Sequence, residues 1–545
     1  MAARMTGGEA IVQSLLLHGV DTVFAIPGVQ TYHLFDAFAR EADRIRVIGP
    51  RHEQTTAYMA FGYAKSTGKV GVYSVVPGPG VLNASAALCS AYGASAPILC
   101  VTGQVPAAFI GSGKGHLHEL PDQLATLRTL TKWAARIEHP AEAPGLIAEA
   151  FRQMNSGRPR PVSLEMPWDV FGMQAPVELV PPPAGYPKMQ PDPDAIERAA
   201  KLLKDANNPM IMVGSGAMHA SKEVLALAEL VQAPVVSFRG GRGVVSDEHP
   251  LGFTCAAGFK RWHDTDLLIG IGSRLELQWF RWPDQPVGLK IINIDIDPTQ
   301  SARIKPAVAI VGDTRQSVEE LIGAARRAGL HRRSRHEQFQ AIKDRTWAEI
   351  QKVQPHMQYL AAIREVLPRD GFFVEEICQT GFTSYFGFPV YEPRTFVTCG
   401  HQGTLGFGFP TALGVKVGNP HKAVVSIAGD GGFLFGVQDL ATAVQYGINL
   451  VTVVFNNNAY GNVLRDQQRL FAGRVFGAEL RNPDFVKLAE SFGMSASRVG
   501  NPDQLKRELG KAFGRDAPAL IEVAVDRDSE VSPWEFLMPA PRAVT

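Results

Sequence analysis

The sequence predicts an α/β protein built from three doubly wound parallel-sheet domains, and three observations predict it. Short β-rich runs ending in Gly or Pro alternate with longer helix-compatible stretches, the rhythm of βαβ units on a parallel sheet. That rhythm occurs three times, with a Pro-rich stretch and then a charged stretch between the blocks. A chain of 545 residues, at about 150 residues per domain, has room for three or four domains.

The elements follow in order. The N-terminal stretch reads as an amphipathic helix followed by a strand, because Glu9, His18 and Asp21 interrupt its apolar run. VDTVFAIPG (20–28), IRVIGP (45–50), VGVYSVVPGPG (70–80) and APILCVTGQ (96–104) are the first strands, and VLNASAALCSAYGAS (81–95) is one of the helices between them. These belong to a first domain, 1–175. The Pro-rich stretch 171–195 reads as an extended linker. A second domain, 192–330, carries PMIMVGSG, APVVSF, TDLLIGIGS, KIINIDIDP and AVAIVGD. Residues 331–357 are charged and helical, a second connector. The third domain, 358–545, carries GFFVEE, RTFVTCG, KAVVSIAGD, NLVTVVFNN and ALIEVAVD. No short-period repeat is evident, which excludes a solenoid.

Composition removes several classes of function. The chain is 45% apolar and 20% charged with net charge +1, too ordinary for a disordered chain. Interspersed charges argue against a nucleic-acid partner. Cys89, Cys100, Cys255, Cys378 and Cys399 lie far apart, so neither a disulfide framework nor a cysteine-rich zinc site is expected. No stretch approaches the roughly 18 apolar residues of a spanning helix, and no membrane partner or targeting segment is expected. The expected location is the cytoplasm.

The strongest chemical signal is in the third block. One β-run ends at Gly429-Asp430-Gly431, and residues 432–455 give one helix and a second β-run that ends at Asn456-Asn457. Two such strand ends lie side by side at the carboxyl edge, where open parallel sheets bind ligands. Asp430 offers a carboxylate oxygen, Asn457 an amide oxygen and Ala459 a backbone carbonyl. Three oxygens suit Mg²⁺, which shares its octahedral shell with phosphates and water. Gly429, Gly431 and Gly432 let the backbone approach a diphosphate.

This spacing resembles that of the thiamine diphosphate-dependent decarboxylases and carboligases. FAIPGV, GPRHEQ, AFGYAKSTGK, PGPGVLN, VTGQVP, SGRPRPV, GTLGFGFPTALG and LRNPDFVKLAESFG look, in order, like motifs of the acetolactate synthase branch. The resemblance implies a pyrimidine-binding first domain, a central domain and a diphosphate-binding third domain. It implies thiamine diphosphate and Mg²⁺ as cofactors, and a reaction that cleaves or forms a C–C bond beside a carbonyl through a C2 ylid and an enamine. By the resemblance Glu53 is the cofactor-activating glutamate. Sharing its proton with the aminopyrimidine calls for a buried carboxyl. Leu405 props the cofactor into its bent shape, a proximity effect. Backbone of Gly403 and Leu405 holds the pyrimidine. Pro27, Gly28, Gly381, Phe382, His401 and Gln402 line the cofactor pocket, and Tyr460 and Gly461 lie near the phosphates. The two halves of a site come from two subunits, so at least a homodimer is implied, and often a homotetramer. In some members the central domain binds FAD or ADP. Gly214-Ser215-Gly216, Gly272-Ser273-Arg274 and Asp295-Ile296-Asp297 could contact such a nucleotide, or could be ordinary strand-end turns.

Departures from the synthase pattern bear on substrate. Gly115-His116 stands where that branch has Phe-Gln beside the thiazolium. Gln278 replaces the Arg that holds a 2-oxo-acid carboxylate, and Asp466 replaces the Trp that sizes the acceptor pocket. Arg465 and Arg469 are the nearest substitute cations. His116 is a candidate catalytic proton shuttle, and His118 a second. Val29 and Val76 stand where benzoylformate-type decarboxylases have serine and histidine. A decarboxylase or lyase acting on a 2-oxo acid or 2-hydroxy ketone is the favoured expectation. A true acetolactate synthase with a different clamp, and a diketone hydrolase using His116 as water base, are its alternatives.

Overall fold

The computed structural model describes residues 3–186 and 188–541. Three six-stranded parallel sheets form the body of the chain. The first runs through Thr22–Ala25, Arg46–Ile48, Gly71–Val75, Ile98–Gln104, Trp133–Arg136 and Val162–Pro167. The second holds Pro209–Val213, Val235–Ser237, Gly252–Thr254, Leu267–Ile271, Lys290–Asp295 and Val308–Val311. The third holds Phe372–Val374, Phe396–Val397, Val424–Gly429, Val451–Asn456, Ser495–Val499 and Ala519–Ala524.

Strands such as Val451–Asn456 are buried along nearly their whole length because helices cover both faces of the sheet. Each buried Val or Ile contributes about 1.5–3 kcal/mol relative to exposure. The helices start where the sequence supplies caps. Thr6 Oγ1 accepts from Glu9 N at 3.1 Å while Thr6 N donates to Glu9 Oε2 at 2.7 Å, a reciprocal capping box for Gly7–Leu17. Asp192-Pro193 and Asn501-Pro502 open Pro193–Asp205 and Pro502–Phe513 with a capping side chain and a first-turn proline.

Two expectations need correction. The stretch 171–195 is not all linker: Gln174–Val177 pairs antiparallel with Ala3–Thr6, so the start and end of the first domain are tied together. The gap after Asp430 is not one helix. It holds a helical turn, Asp430–Phe433, then Leu440–Gln445. The break falls at Gly436, where an added Cβ would sit 2.8 Å from Pro410.

Numbered along the chain within each sheet, the first and third sheets share one strand order, 2-1-3-4-6-5, whereas the second has 3-2-1-4-5-6. The second is the dinucleotide-fold order, with its crevice where the first and fourth strands adjoin. The first and third domains meet through helices Glu53–Thr67 and Gly408–Gly418. Their crossing is reciprocal. A Cβ on Gly62 would lie 2.1 Å from the Thr411 carbonyl, and one on Gly414 would lie 2.0 Å from the Met59 carbonyl.

Candidate functional site

The third sheet assembles the phosphate end. Gly429 pairs in register with Phe455, so Asp430 and Asn456-Asn457 leave the sheet side by side. Asp430 is 2% exposed. Burial pushes its carboxyl above the usual range, against the pull of Asn482 and backbone amides. Its Oδ2 accepts from Asn482 Nδ2 at 2.7 Å. The same Asn482 nitrogen reaches Asn456 Oδ1 at 2.9 Å and Asn458 Oδ1 at 3.3 Å, tying both strand ends together. Asn457 Nδ2 donates to Glu530 Oε2 at 2.9 Å, which fixes which way the amide faces. Ala459 is buried and its N–H donates to Asn457 Oδ1 at 3.1 Å. The loop turns through Asn458, at φ +54°. Glycine is required at Gly431, where a Cβ would lie 2.4 Å from the Tyr460 ring. A Cβ on Gly461 would meet Asn457 Nδ2 at 2.8 Å.

These residues fit a magnesium diphosphate. A buried carboxylate held by neutral amides lacks the cation that would stabilise its charge, and Mg²⁺ supplies one. Asp430, Asn457 and the Ala459 carbonyl would hold it. Among the described residues no cluster of three His, Cys, Asp or Glu side chains gathers as a metal site. The expected donor set needs none, because an amide, a carbonyl and phosphates complete it.

Gly403 sits at φ +57°, with Ile377 at 3.8 Å the nearest atom to an added Cβ, so its backbone is open to a ligand. Leu405, half-buried, follows it. Glu376 stands behind this loop. Its carboxylate accepts from Gly408 N at 2.7 Å and Phe407 N at 3.3 Å and lies against Gly432. Burial pushes its pKa up to about 8, with Glu375 adding to the effect. Gly381 lies on the same floor, where a Cβ would come 1.8 Å from the Glu376 carbonyl. Phe382 is buried and tilts against Trp534 of the C-terminal segment, centroids 5.1 Å apart.

His401 and Gln402 precede the Gly403 loop. His401 Nε2 is 3.2 Å from Arg274 Nη1, and His401 and Gln402 both press on Gly93 of the first domain. That places His401 at the crevice of the second domain, with Gln402 beside it. This crevice is a cavity of about 450 Å³ lined by Gly214, Gly272, Arg274, Asp295, Arg158 and His401 among others. Its turns touch: a Cβ on Gly214 would sit 2.3 Å from the Gly272 carbonyl.

The first sheet's carboxyl edge carries Glu53, Pro27 and Gly28. A Cβ on Gly28 would lie 2.3 Å from Val76. Glu53 opens helix Glu53–Thr67 and accepts from Asn83 Nδ2 at 3.0 Å. A single chain leaves it half-buried, short of the burial the chemistry calls for. His116 lies in a loop wrapped around Glu119, whose carboxylate accepts from the amides of Gly113, Gly115 and His116. The ring stacks on Phe109 at 5.1 Å, and its Nδ1 is buried without a hydrogen-bond partner. His118, at φ +67°, binds Gln30 Oε1 through Nδ1 at 3.0 Å and holds the loop against Gly78.

Sequence reasoning missed Glu376, Asn482 and Glu530. Glu376 was counted only as the end of a strand, although strand ends at this edge are where ligand-side groups stand. Asn482 lay inside the quoted LRNPDF. Glu530 carried no signal, because its partner is 73 residues away in sequence.

A parallel-sheet edge with a buried Asp, an oriented Asn and an open glycine loop defines a cofactor-dependent α/β enzyme. Comparison with known proteins identifies which. Residues 5–126 match the thiamine pyrophosphate enzyme N-terminal TPP binding domain, 196–321 the central domain, and 377–523 the C-terminal TPP binding domain. The chain is 34% identical to the probable 2-ketoarginine decarboxylase AruI of Pseudomonas aeruginosa, over 95% of this chain and 94% of the relative. It is 33% identical to the probable acetolactate synthase large subunit of Methanocaldococcus jannaschii, over 96% and 92%. It is 32% identical to the acetolactate synthase large subunit of Haemophilus influenzae, over 98% and 96%. The chain belongs to the thiamine diphosphate-dependent enzymes, in their acetolactate synthase-like branch. It is an enzyme of C–C bond cleavage or formation beside a carbonyl, using thiamine diphosphate and a divalent metal ion.

Proposed function

We propose that this enzyme releases CO₂ from a 2-oxo acid as a decarboxylase or lyase and does not condense two 2-oxo acids. The observation that carries this reading is the commitment of the acceptor-side groups. Gln278, in place of an arginine clamp, donates to Gln285 Oε1 at 2.7 Å. Asp466 accepts from Asn462 at 3.3 Å and pairs with Arg469 at 3.5 Å. Arg465, the nearest substitute cation, donates to Gln379 Oε1 at 2.9 Å and reaches the Glu530 carbonyl at 3.5 Å. A cation already spent on such contacts is a poor clamp for a second carboxylate. The relatives include both a named decarboxylase and named synthases at nearly equal identity, so likeness alone does not choose.

In this reading bound thiamine diphosphate supplies a nucleophilic carbon and an electron sink for the broken bond. Asp430, Asn457 and the Ala459 carbonyl hold the metal, and Gly429, Gly431, Gly432, Tyr460 and Gly461 surround the phosphates. Leu405 and the Gly403 backbone orient the ring system. Glu53 exchanges a proton with the aminopyrimidine. His116, held by stacking with one ring nitrogen unbonded, moves a proton to or from product.

The reading includes at least a homodimer. One chain leaves Glu53 half-buried, and apolar Leu82, Leu117, Phe435 and Phe476 stand exposed. A second chain that covers this edge would bury Glu53 against a phosphate end. FAD or ADP suits the second domain's crevice, whose Arg158 and Arg274 would meet phosphates; the absorption spectrum and extracted nucleotide of the purified protein test this. Among the described residues no helix is long and apolar enough to cross a membrane, and the proposed location is the cytoplasm.

The test is a panel of 2-oxo acids with and without aldehyde acceptors, with CO₂ and products read by mass spectrometry. CO₂ with an aldehyde or single-substrate product is expected. Acetolactate from pyruvate alone would overturn the reading in favour of a synthase. Water-dependent opening of a diketone, abolished in His116→Ala, would overturn it in favour of a hydrolase.

A further inference from the structure

The C-terminal segment reaches back into the metal loop. Glu530 follows the turn Arg527–Ser529, and its side chain is 4% exposed. Its Oε2 takes the hydrogen bond of Asn457 Nδ2 at 2.9 Å. Its Oε1 lies 3.2 Å from Nε2 of His356, a fully buried ring whose Nδ1 is 2.9 Å from Thr380 Oγ1. Backbone anchors hold the segment there. Val531 N donates to the Gln354 carbonyl at 2.9 Å, and Arg465 reaches the Glu530 carbonyl. Trp534 then closes the segment down. Its Nε1 donates to Oδ1 of Asn462, the second residue of helix Gly461–Leu470, at 2.6 Å, and its ring meets Phe382.

An amide side chain has two ends, one donor and one acceptor, and a metal takes only the oxygen. Asn457 has no intrinsic preference for which end it turns toward the diphosphate. A buried carboxylate is acceptor-only when ionised and binds only the nitrogen end, which leaves Oδ1 on the other side, where Ala459 N already points at it. Partners of this kind orient metal-binding side chains, and their removal costs about 10–100-fold in metal affinity.

We propose that Glu530 is a positioning residue for the metal: it locks the Asn457 amide with its oxygen toward the ion, and so makes the C-terminal segment part of the cofactor site. The proposal rests on the reading of Asn457 as a ligand. The contact is a directed hydrogen bond to one ligand, which gives the segment a part in the site itself.

The test is a double-mutant cycle on the full-length apoprotein, with Mg²⁺ and thiamine diphosphate binding read by titration calorimetry and folding by thermal melting. Glu530→Ala is expected to weaken Mg²⁺ by about 10–100-fold with Asn457 present. In an Asn457→Ala background the same change is expected to cost less than about threefold, because the group it orients is gone. Glu530→Gln, whose amide can turn either its donor or its acceptor end toward Asn457, is expected to recover only part of the Mg²⁺ binding. At saturating Mg²⁺ the Glu530→Ala enzyme is expected to regain most of its kcat. Equal costs in the two backgrounds would overturn the proposal. Unchanged Mg²⁺ binding in Asn457→Ala alone would instead overturn the ligand assignment. If Glu530→Ala does not fold, Glu530→Leu, which keeps the bulk and removes the acceptor, takes its place with the same expected outcomes.

Discussion

At the residue scale, one buried carboxyl links two parts of the site. Glu376 accepts amides of the loop that follows Leu405 and touches the glycine turn beside Asp430. Removing a charge from water without a cation is costly, so the folded chain holds this proton more tightly than the unfolded chain does. Its ordinary pKa of 4.5 rises to about 8 on folding. The sign follows. The contribution to stability is full below 4.5 and is lost as the pH climbs to about 8. The apoprotein is therefore expected to melt at lower temperature at pH 8 than at about pH 5. Glu376→Gln, which cannot ionise, should flatten that slope while it keeps the acceptor oxygen. An unchanged slope in a melting series would show that Glu376 does not titrate in this range.

At the element scale, the crossing of helices Glu53–Thr67 and Gly408–Gly418 sets the distance between the domain that carries Glu53 and the loop that carries Leu405. Two glycines let the backbones touch, each against a carbonyl of the other helix. A methyl at Gly414 would fall 2.0 Å from the Met59 carbonyl, and backbone cannot rotate away as a side chain can. Gly414→Ala is expected to destabilise the protein by about 3 kcal/mol, the upper end for overpacking, although alanine is the better helix former. Denaturant midpoints measure it. The opposite result, stabilisation of the sort alanine brings to an exposed helix, would mean the helices stand farther apart. Of the elements themselves, most strands were legible, because buried parallel strands are unbroken apolar runs. Trp133–Arg136 and Ser495–Val499, which had no place in the reading, are edge strands with exposed or polar residues that blur the pattern, and Val162–Pro167, also missed, is an internal strand whose apolar run is broken by Ser163 and Glu165.

At the scale of the whole molecule, the first and third domains share a strand order and meet at a reciprocal crossing, although no repeat is visible in the sequence. In the proposed reading, two like domains with different groups at their carboxyl edges make half-sites. Glu53 stands on one edge and Asp430 on the other. If each site takes Glu53 from one subunit and Asp430 from its partner, Glu53→Gln and Asp430→Ala should each be inactive alone, the first still binding thiamine diphosphate without exchanging its C2 proton. Mixed and reassembled, they should regain about a quarter of wild-type activity, since half the dimers are hybrids and each hybrid has one intact site. No recovery, with hybrids shown by mass, would place both groups of a site on one chain.

The sequence alone determined the class of fold, the order of most strands along the chain and the neighbouring strand ends that carry Asp430 and Asn457. Those are matters of local pattern and of spacing, and a strand with its turn needs no distant partner to be read. Tertiary structure decided what spacing cannot encode. It decided that Asn482 joins the two strand ends, that His401 faces Arg274, that Arg465 is spent on Gln379 and Glu530, and that Glu530 holds the amide of Asn457. Each is a contact between groups far apart in the chain, made by folding and invisible until the sheet has placed its edges together.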